Sequence, residues 1–242
     1  PEHQYLNGSV KDAPVLQVQL SKAEAISNDT MKYEFSSLDG SDLPQATAGA
    51  HIDVVVAPEF FRQYSLSSNP ADRSKYQIAV LREDQGRGGS LLMHRIFTEG
   101  RKVFVSKPIN HFPLHETAST SYLMGGGIGV TAMIAMAHRL YELEANFELH
   151  YSCTKAEEAG FEADLKAMPW SSNVCFHYSD QGTRANLTQI LQYQPKAHVY
   201  TCGPDRFMNA VLDTAKACGF SEEERHMEYF SVPELPEYEN HD

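Results

Sequence analysis

Residues 125–132 read Gly-Gly-Gly-Ile-Gly-Val-Thr-Ala. The apolar run Ser121-Tyr122-Leu123-Met124 leads into them, and Val130 to Leu143 leads out, with Met133, Ile134, Met136, Ala137 and Leu140 apolar at helical spacing. A strand that turns on glycines directly into a helix is the opening of a βαβ unit, and it constrains the fold more than any other stretch of the chain. Gly127, Gly129 and Ala132 fit the pattern G-x-G-x-x-A. Glycines there let the backbone approach a pyrophosphate, and the helix start supplies unpaired N–H groups and partial positive charge. Without its context the same run would be only a glycine-rich βα turn.

The pattern after this turn alternates. Strand-like runs fall at 146–151, 174–178, 198–201 and 227–230, with helical patterns at 157–167, 187–192 and 205–218. Alternating strands and helices predict a parallel sheet covered on both faces. Residues 13–116 differ. Short strand runs at 15–20, 31–35, 51–56, 62–65, 76–81 and 101–105 are separated by turn signals such as Asp39-Gly40-Ser41-Asp42 and Ser68-Asn69-Pro70. That spacing predicts a small antiparallel six-stranded barrel, closed by a short helix over 90–97. The chain thus divides into a β-barrel domain at 1–116, an α/β domain at 117–231 and an acidic tail at 232–242 that reads as a linker or loose terminus. It begins with Pro rather than Met, so an upstream stretch is expected.

Composition narrows the function classes. The 242 residues carry 20 Lys and Arg against 32 Asp and Glu, a formal charge of −12. Positive charges are scattered, which disfavours nucleic acid. The acidity suits a basic partner protein, or simply solubility. No apolar run approaches the ~20 residues a membrane span needs, and no signal peptide opens the chain. Cys153, Cys175, Cys202 and Cys218 have neither zinc-knuckle nor plant-type iron–sulfur spacing, so no metal site is expected and the thiols read as reduced, in the cytoplasm. The 11 histidines, among them His94, His115, His150 and His226, lie scattered along the sequence and read as structural or surface residues.

Four segments carry chemistry. Besides the glycine turn, Arg62-Gln63-Tyr64-Ser65 places an arginine and a tyrosine on one strand face, suited to a phosphate and an aromatic plane, with Ser65 turned the other way. Alone it is an ordinary amphipathic strand. Arg87-Gly88-Gly89-Ser90 precedes the short helix as a second anion-binding start, or as a loop with a capping serine. Tyr200-Thr201-Cys202-Gly203-Pro204-Asp205 ends a strand where open α/β sheets bind ligands, although taken alone the segment reads more readily as a small buried thiol beside a turn. The position for an acidic ribose ligand reads Ser152-Cys153-Thr154-Lys155, so NADH and NADPH both remain open.

These segments, in this order, resemble the ferredoxin–NADP reductase superfamily. Asn110-His111-Phe112-Pro113-Leu114 and Glu228-Tyr229-Phe230 resemble the corresponding stretches of its phthalate dioxygenase and vanillate demethylase reductase branch. The resemblance spans roughly residues 13–230. It implies a flavin-binding barrel and a nicotinamide-nucleotide domain, with hydride passing from NADH to FMN. FAD is less expected, because Arg87-Gly88-Gly89-Ser90 has no aromatic neighbour before Phe97. It implies that Arg62, Tyr64, Ser65, Leu66, Val80, Arg87, Gly88, Gly89 and Ser90 hold the flavin. Gly126, Gly127, Gly129, Thr131 and Ser152 would hold the nucleotide. Cys202 and Gly203 would flank the nicotinamide, Phe230 would cover the flavin, and Ser65, Cys202 and Phe230 would form the reacting centre. A C-terminal [2Fe–2S] ferredoxin module is implied where this sequence stops, either as a missing domain or as a separate protein. The end acceptor would be a Rieske-type oxygenase. The rival readings are a free-standing flavin reductase, an electron-transfer subunit of another oxidoreductase, and a non-catalytic NAD(P)H sensor.

Overall fold

The computed structural model describes residues 15–58, 60–84, 86 and 88–230. The expected tail at 232–242 lies outside them. Six antiparallel strands form the first sheet: β1 (Val15–Ala25), β2 (Thr30–Ser37), β3 (His51–Ala57), β4 (Phe60–Ser65), β5 (Tyr76–Leu81) and β6 (Lys102–Ser106). Their order is β4-β3-β6-β1-β2-β5. The end strands β4 and β5 come alongside each other, but no ladder joins them among the described residues, so the barrel is nearly rather than fully closed. Alternation fixes what faces inward: Val18 and Leu20 on β1, Tyr33 and Phe35 on β2, and Ile52 and Val54 on β3 are all buried.

Helix α1 (Gly89–Ile96) packs across the unpaired seam. Its Met93 is fully buried, and Phe97 beyond it packs edge-on against Tyr33 and Phe35. Burying side chains of this size stabilises by about 1.5–3 kcal/mol each, which offsets the missing ladder.

The second sheet is parallel, in the order β11-β10-β7-β8-β9. Its strands are β7 (Ser121–Gly126), β8 (Phe147–Cys153), β9 (Val174–Tyr178), β10 (His198–Cys202) and β11 (Arg225–Glu228). Helix α2 (Val130–Glu142) and the short α3 (Glu162–Lys166) cover one face. Helices α4 (Leu187–Ile190) and α5 (Asp205–Ala217) cover the other. Strand order reverses between β7 and β10, which makes the crevice beyond their carboxyl ends a switch point. No helix among the described residues is long and apolar enough to cross a membrane.

Three sequence expectations change. The helix expected over 157–167 is broken into a single turn at Ala156–Glu158 and α3. Gly160 passes so close to Ile26 that a Cβ would lie 2.9 Å from its Cγ1, and the backbone bends to accommodate the contact. The last strand ends at Glu228, where its pairing with Cys202 of β10 stops, so Tyr229 and Phe230 lie beyond it. The histidines are not scattered in space: His115, His198 and His226 converge beside β10 and β11.

The two sheets share a core. Ala48 and Ala79 of the first half and Phe112 of the connector pack in one cluster with Leu123, Val130 and Tyr200. Buried Lys32 of β2 pairs with Glu24 of neighbouring β1 at 3.4 Å and with Asp164 of α3 at 2.7 Å, the second an ion pair between barrel and parallel-sheet half.

Candidate active site

Strand β4 carries the first set of residues. Arg62 pairs with Val54 and Tyr64 with Ile52, so both lie on the side of β3's inward residues, against the start of α1. The Arg62 guanidinium sits 4.1 Å above the Phe60 ring and donates to the Phe61 carbonyl at 2.9 Å. A Cβ on Gly89 would come within 3.1 Å of Arg62 Nε, so the glycine lets the helix start close on the arginine. Burial pushes the Tyr64 phenol well up.

Gly88 caps α1 in the left-handed region, φ 87°, without a side-chain cap. Ser90 therefore stands inside the helix and is not its capping residue. Its Oγ accepts the Glu83 N–H at 2.9 Å, which fixes the base of the preceding loop. Arg87 lies outside the described residues. Leu66 and Val80 have core side chains. The Leu66 N–H donates to the Ala50 carbonyl at 3.0 Å, and the Val80 carbonyl faces His94 Nε2 at 2.8 Å.

The second set surrounds the switch point. Gly127, at φ 54°, opens onto free space, where a Cβ would meet nothing within 4 Å. At Gly129 a Cβ would strike the Cys202 carbonyl, so only glycine lets the turn after β7 lie against the end of β10. Thr131 is buried, and its Oγ1 donates to the Ile128 carbonyl at 3.2 Å. Ser152, paired with Gly126 near the end of β8, has a buried Oγ with no partner among the described residues, aligned with the glycine turn. Next to it, Cys153 is pushed up to about 11 by burial.

The sets meet at the ends of β4 and β11. Ser65, turned away from Arg62 and Tyr64, donates its Oγ to Glu228 Oε1 at 3.3 Å. Glu228 pairs in register with Cys202. Burial raises the Glu228 carboxyl to about 7, partly offset by the Ser65 hydrogen bond. Cys202 is fully buried, and burial together with the nearby Glu228 pushes its thiol well up. Phe230 is half-buried against the same core cluster. Phe207, on the first turn of α5, lies over Gly126 and Gly203, with ring carbons 2.7 and 3.1 Å from where their Cβ atoms would be.

Sequence reasoning missed Glu228 and Phe207. Alternation along β11 would have placed Glu228 on the face of His226, and the helical pattern would have placed Phe207 beside the Gly203 turn. Nothing local points to the contact between Glu228 and Ser65.

No protein-family model matches the chain. A vanillate O-demethylase oxidoreductase of Pseudomonas sp. (strain HR199 / DSM 7063) is 38% identical over 222 residues, covering 90% of this chain and 70% of the relative. This chain belongs to that family of oxygenase reductases. The carnitine monooxygenase reductase subunit of Escherichia coli K12 is 32% identical over 227 residues, covering 92% of this chain and 71% of that one. A solved phthalate dioxygenase reductase, described as a modular structure for electron transfer from pyridine nucleotides to [2Fe–2S], superposes with a TM-score of 0.85 at 32% identity, covering 91% of this chain and 70% of that one. The reductase thus has the ferredoxin–NADP reductase-like pairing of antiparallel barrel and parallel sheet, and its relatives named above are reductase components of oxygenase systems.

Proposed function

We propose that this reductase takes a hydride from NADH onto FMN at the seam between barrel and sheet, and passes single electrons to a [2Fe–2S] centre that feeds a Rieske-type oxygenase. The observation that carries this reading is the Ser65–Glu228 contact with Cys202 alongside. It brings the end of the arginine–tyrosine strand and the end of the nucleotide crevice to one place. The domain division is 1–116 for flavin and 117–231 for nucleotide. A bound flavin supplies a two-electron acceptor that can release electrons one at a time, and the nicotinamide supplies the hydride.

The chain's own residues fit both groups. Arg62, Gly88, Gly89 and Ser90 form a cationic and N–H-lined cradle for the flavin phosphate, and Tyr64 offers a ring for the isoalloxazine. Leu66 and Val80 stand as flavin neighbours on the resemblance alone, since the Leu66 N–H and the Val80 carbonyl are taken up by Ala50 and His94. Gly126, Gly127, Gly129 and the α2 start receive the pyrophosphate, with Thr131 bracing the turn. The unpartnered Ser152 hydroxyl suits a ribose. Cys202 and Gly203 border the nicotinamide place, and Ser65 and Glu228 supply a hydroxyl and a proton-holding carboxyl beside it. Phe230 would cover the flavin. Hydride transfer needs no general base, so the protein's work is orientation and exclusion of water.

FMN is favoured over FAD because Phe97, the first aromatic beyond the glycine loop, is committed to the barrel core, and Phe60 beside the loop is already covered by the Arg62 guanidinium. NADH is favoured over NADPH because the turn just after β8 carries two carboxylates, Glu157 and Glu158, against the single cation Lys155, a net negative charge where a 2′-phosphate would lie. The four free cysteines support a reducing, cytoplasmic setting.

Arg62→Ala tests the flavin half. Loss of a charge-assisted phosphate contact of about 2 kcal/mol weakens FMN binding roughly thirtyfold, read by fluorescence titration, with the far-ultraviolet spectrum unchanged. Unaltered FMN affinity in that variant would contradict the assignment.

A further inference from the structure

His198 opens β10 and His226 is the second residue of β11, while His115 lies in the connector that leaves the barrel. Their ring nitrogens, one from each, lie within 4.8 Å of one another. His198 Nδ1 and His226 Nε2 face each other at 2.8 Å with ring planes 5° apart. That distance is shorter than a stacking separation, so the two imidazoles sit edge to edge and share one proton. His115 lies over both, with centroids at 4.6 and 4.8 Å.

The geometry points to a transition-metal site of three histidines, His115, His198 and His226, suited to a zinc-type divalent cation. Imidazole nitrogens select zinc, copper or nickel rather than magnesium or calcium. Zinc binds histidine nitrogen at about 2.0–2.1 Å, so a tetrahedral ion between the facing nitrogens needs them roughly 3.3 Å apart. The pair opens by about half an ångström from 2.8 Å, and both rings turn so that their lone pairs converge on the ion instead of on each other. The ion takes the place of the shared proton, which moves by exchange with water to the donor ring's other nitrogen; His115 rotates out of its stack to aim a ring nitrogen as third ligand, and water fills the fourth position. Tyr200 braces the cluster: its ring stacks on His226 at 4.7 Å and its hydroxyl accepts the His115 backbone N–H at 2.8 Å. The site stands at the entering ends of β10 and β11, away from the switch-point crevice, and does not depend on the flavin reading. An ion there ties the connector to the sheet.

Calorimetric titration of the chelator-treated full chain with zinc chloride tests this, alongside thermal melts. The expected result is one saturable equivalent and a higher melting temperature with zinc. His115→Gln and His198→Gln should each weaken binding at least tenfold and lose the thermal shift, while His177→Gln, which breaks the separate His150–His177 pair, leaves both unchanged. X-ray absorption at the zinc edge should show imidazole scattering. If His198→Gln does not fold, the exposed His115 position carries the test alone. No saturable site in the wild type, or wild-type affinity after His115→Gln, would overturn the assignment.

Discussion

The carboxyl of Glu228 sits between Ser65 and Cys202, and burial holds its proton up to about 7. An acid raised in the folded state binds a proton the unfolded chain has already released. Stability is therefore fullest below the ordinary glutamate range near pH 4.5 and declines as pH rises through about 7. Glu228→Gln should flatten that decline in melting temperature between pH 5 and 8; an unchanged slope would place the titration elsewhere. Arg62, Tyr64 and Ser65 were legible because strand alternation decides which of them share a face, and the register with Val54 and Ile52 agrees. Glu228 was not legible as a partner of Ser65, since the two lie 163 residues apart and only the docking of the sheets brings them together. The same limit hid the three histidines, one on a connector and two on neighbouring strands.

At the scale of elements, the glycine turn between β7 and α2 is fixed by its contact with the end of β10. Gly129→Ala drives a methyl group into the Cys202 carbonyl and must push the two loops apart. NADH affinity should fall at least tenfold while FMN content holds, measured by separate titrations of the two ligands. Equal losses of both would mean that the turn serves the whole fold instead. The strands and long helices were readable because their periods of two and 3.6 are strong over many residues. The segment after β8 was not, because its helical pattern yields to a single close approach between Gly160 and Ile26. The barrel's open seam was also invisible, since strand runs do not reveal which ladder is left unmade and filled by α1.

Across the whole molecule, the common core through Phe112 and the Lys32–Asp164 pair fix the barrel against the sheet. Removing Asp164 leaves the buried Lys32 ammonium with Glu24 alone, so its charge is fully paired only in the docked arrangement. On the proposed function, that docking would bring the two halves of one reaction centre together. The most direct measurement is anaerobic single-turnover reduction of the FMN-loaded chain by NADH in a stopped-flow instrument, with the Cys202→Ala variant alongside. The account predicts rapid bleaching of the flavin bands in the wild type and a bleaching rate in the variant at least tenfold slower at saturating NADH. Flavin that stays oxidised in the wild type, or an unchanged rate in the variant, would contradict it.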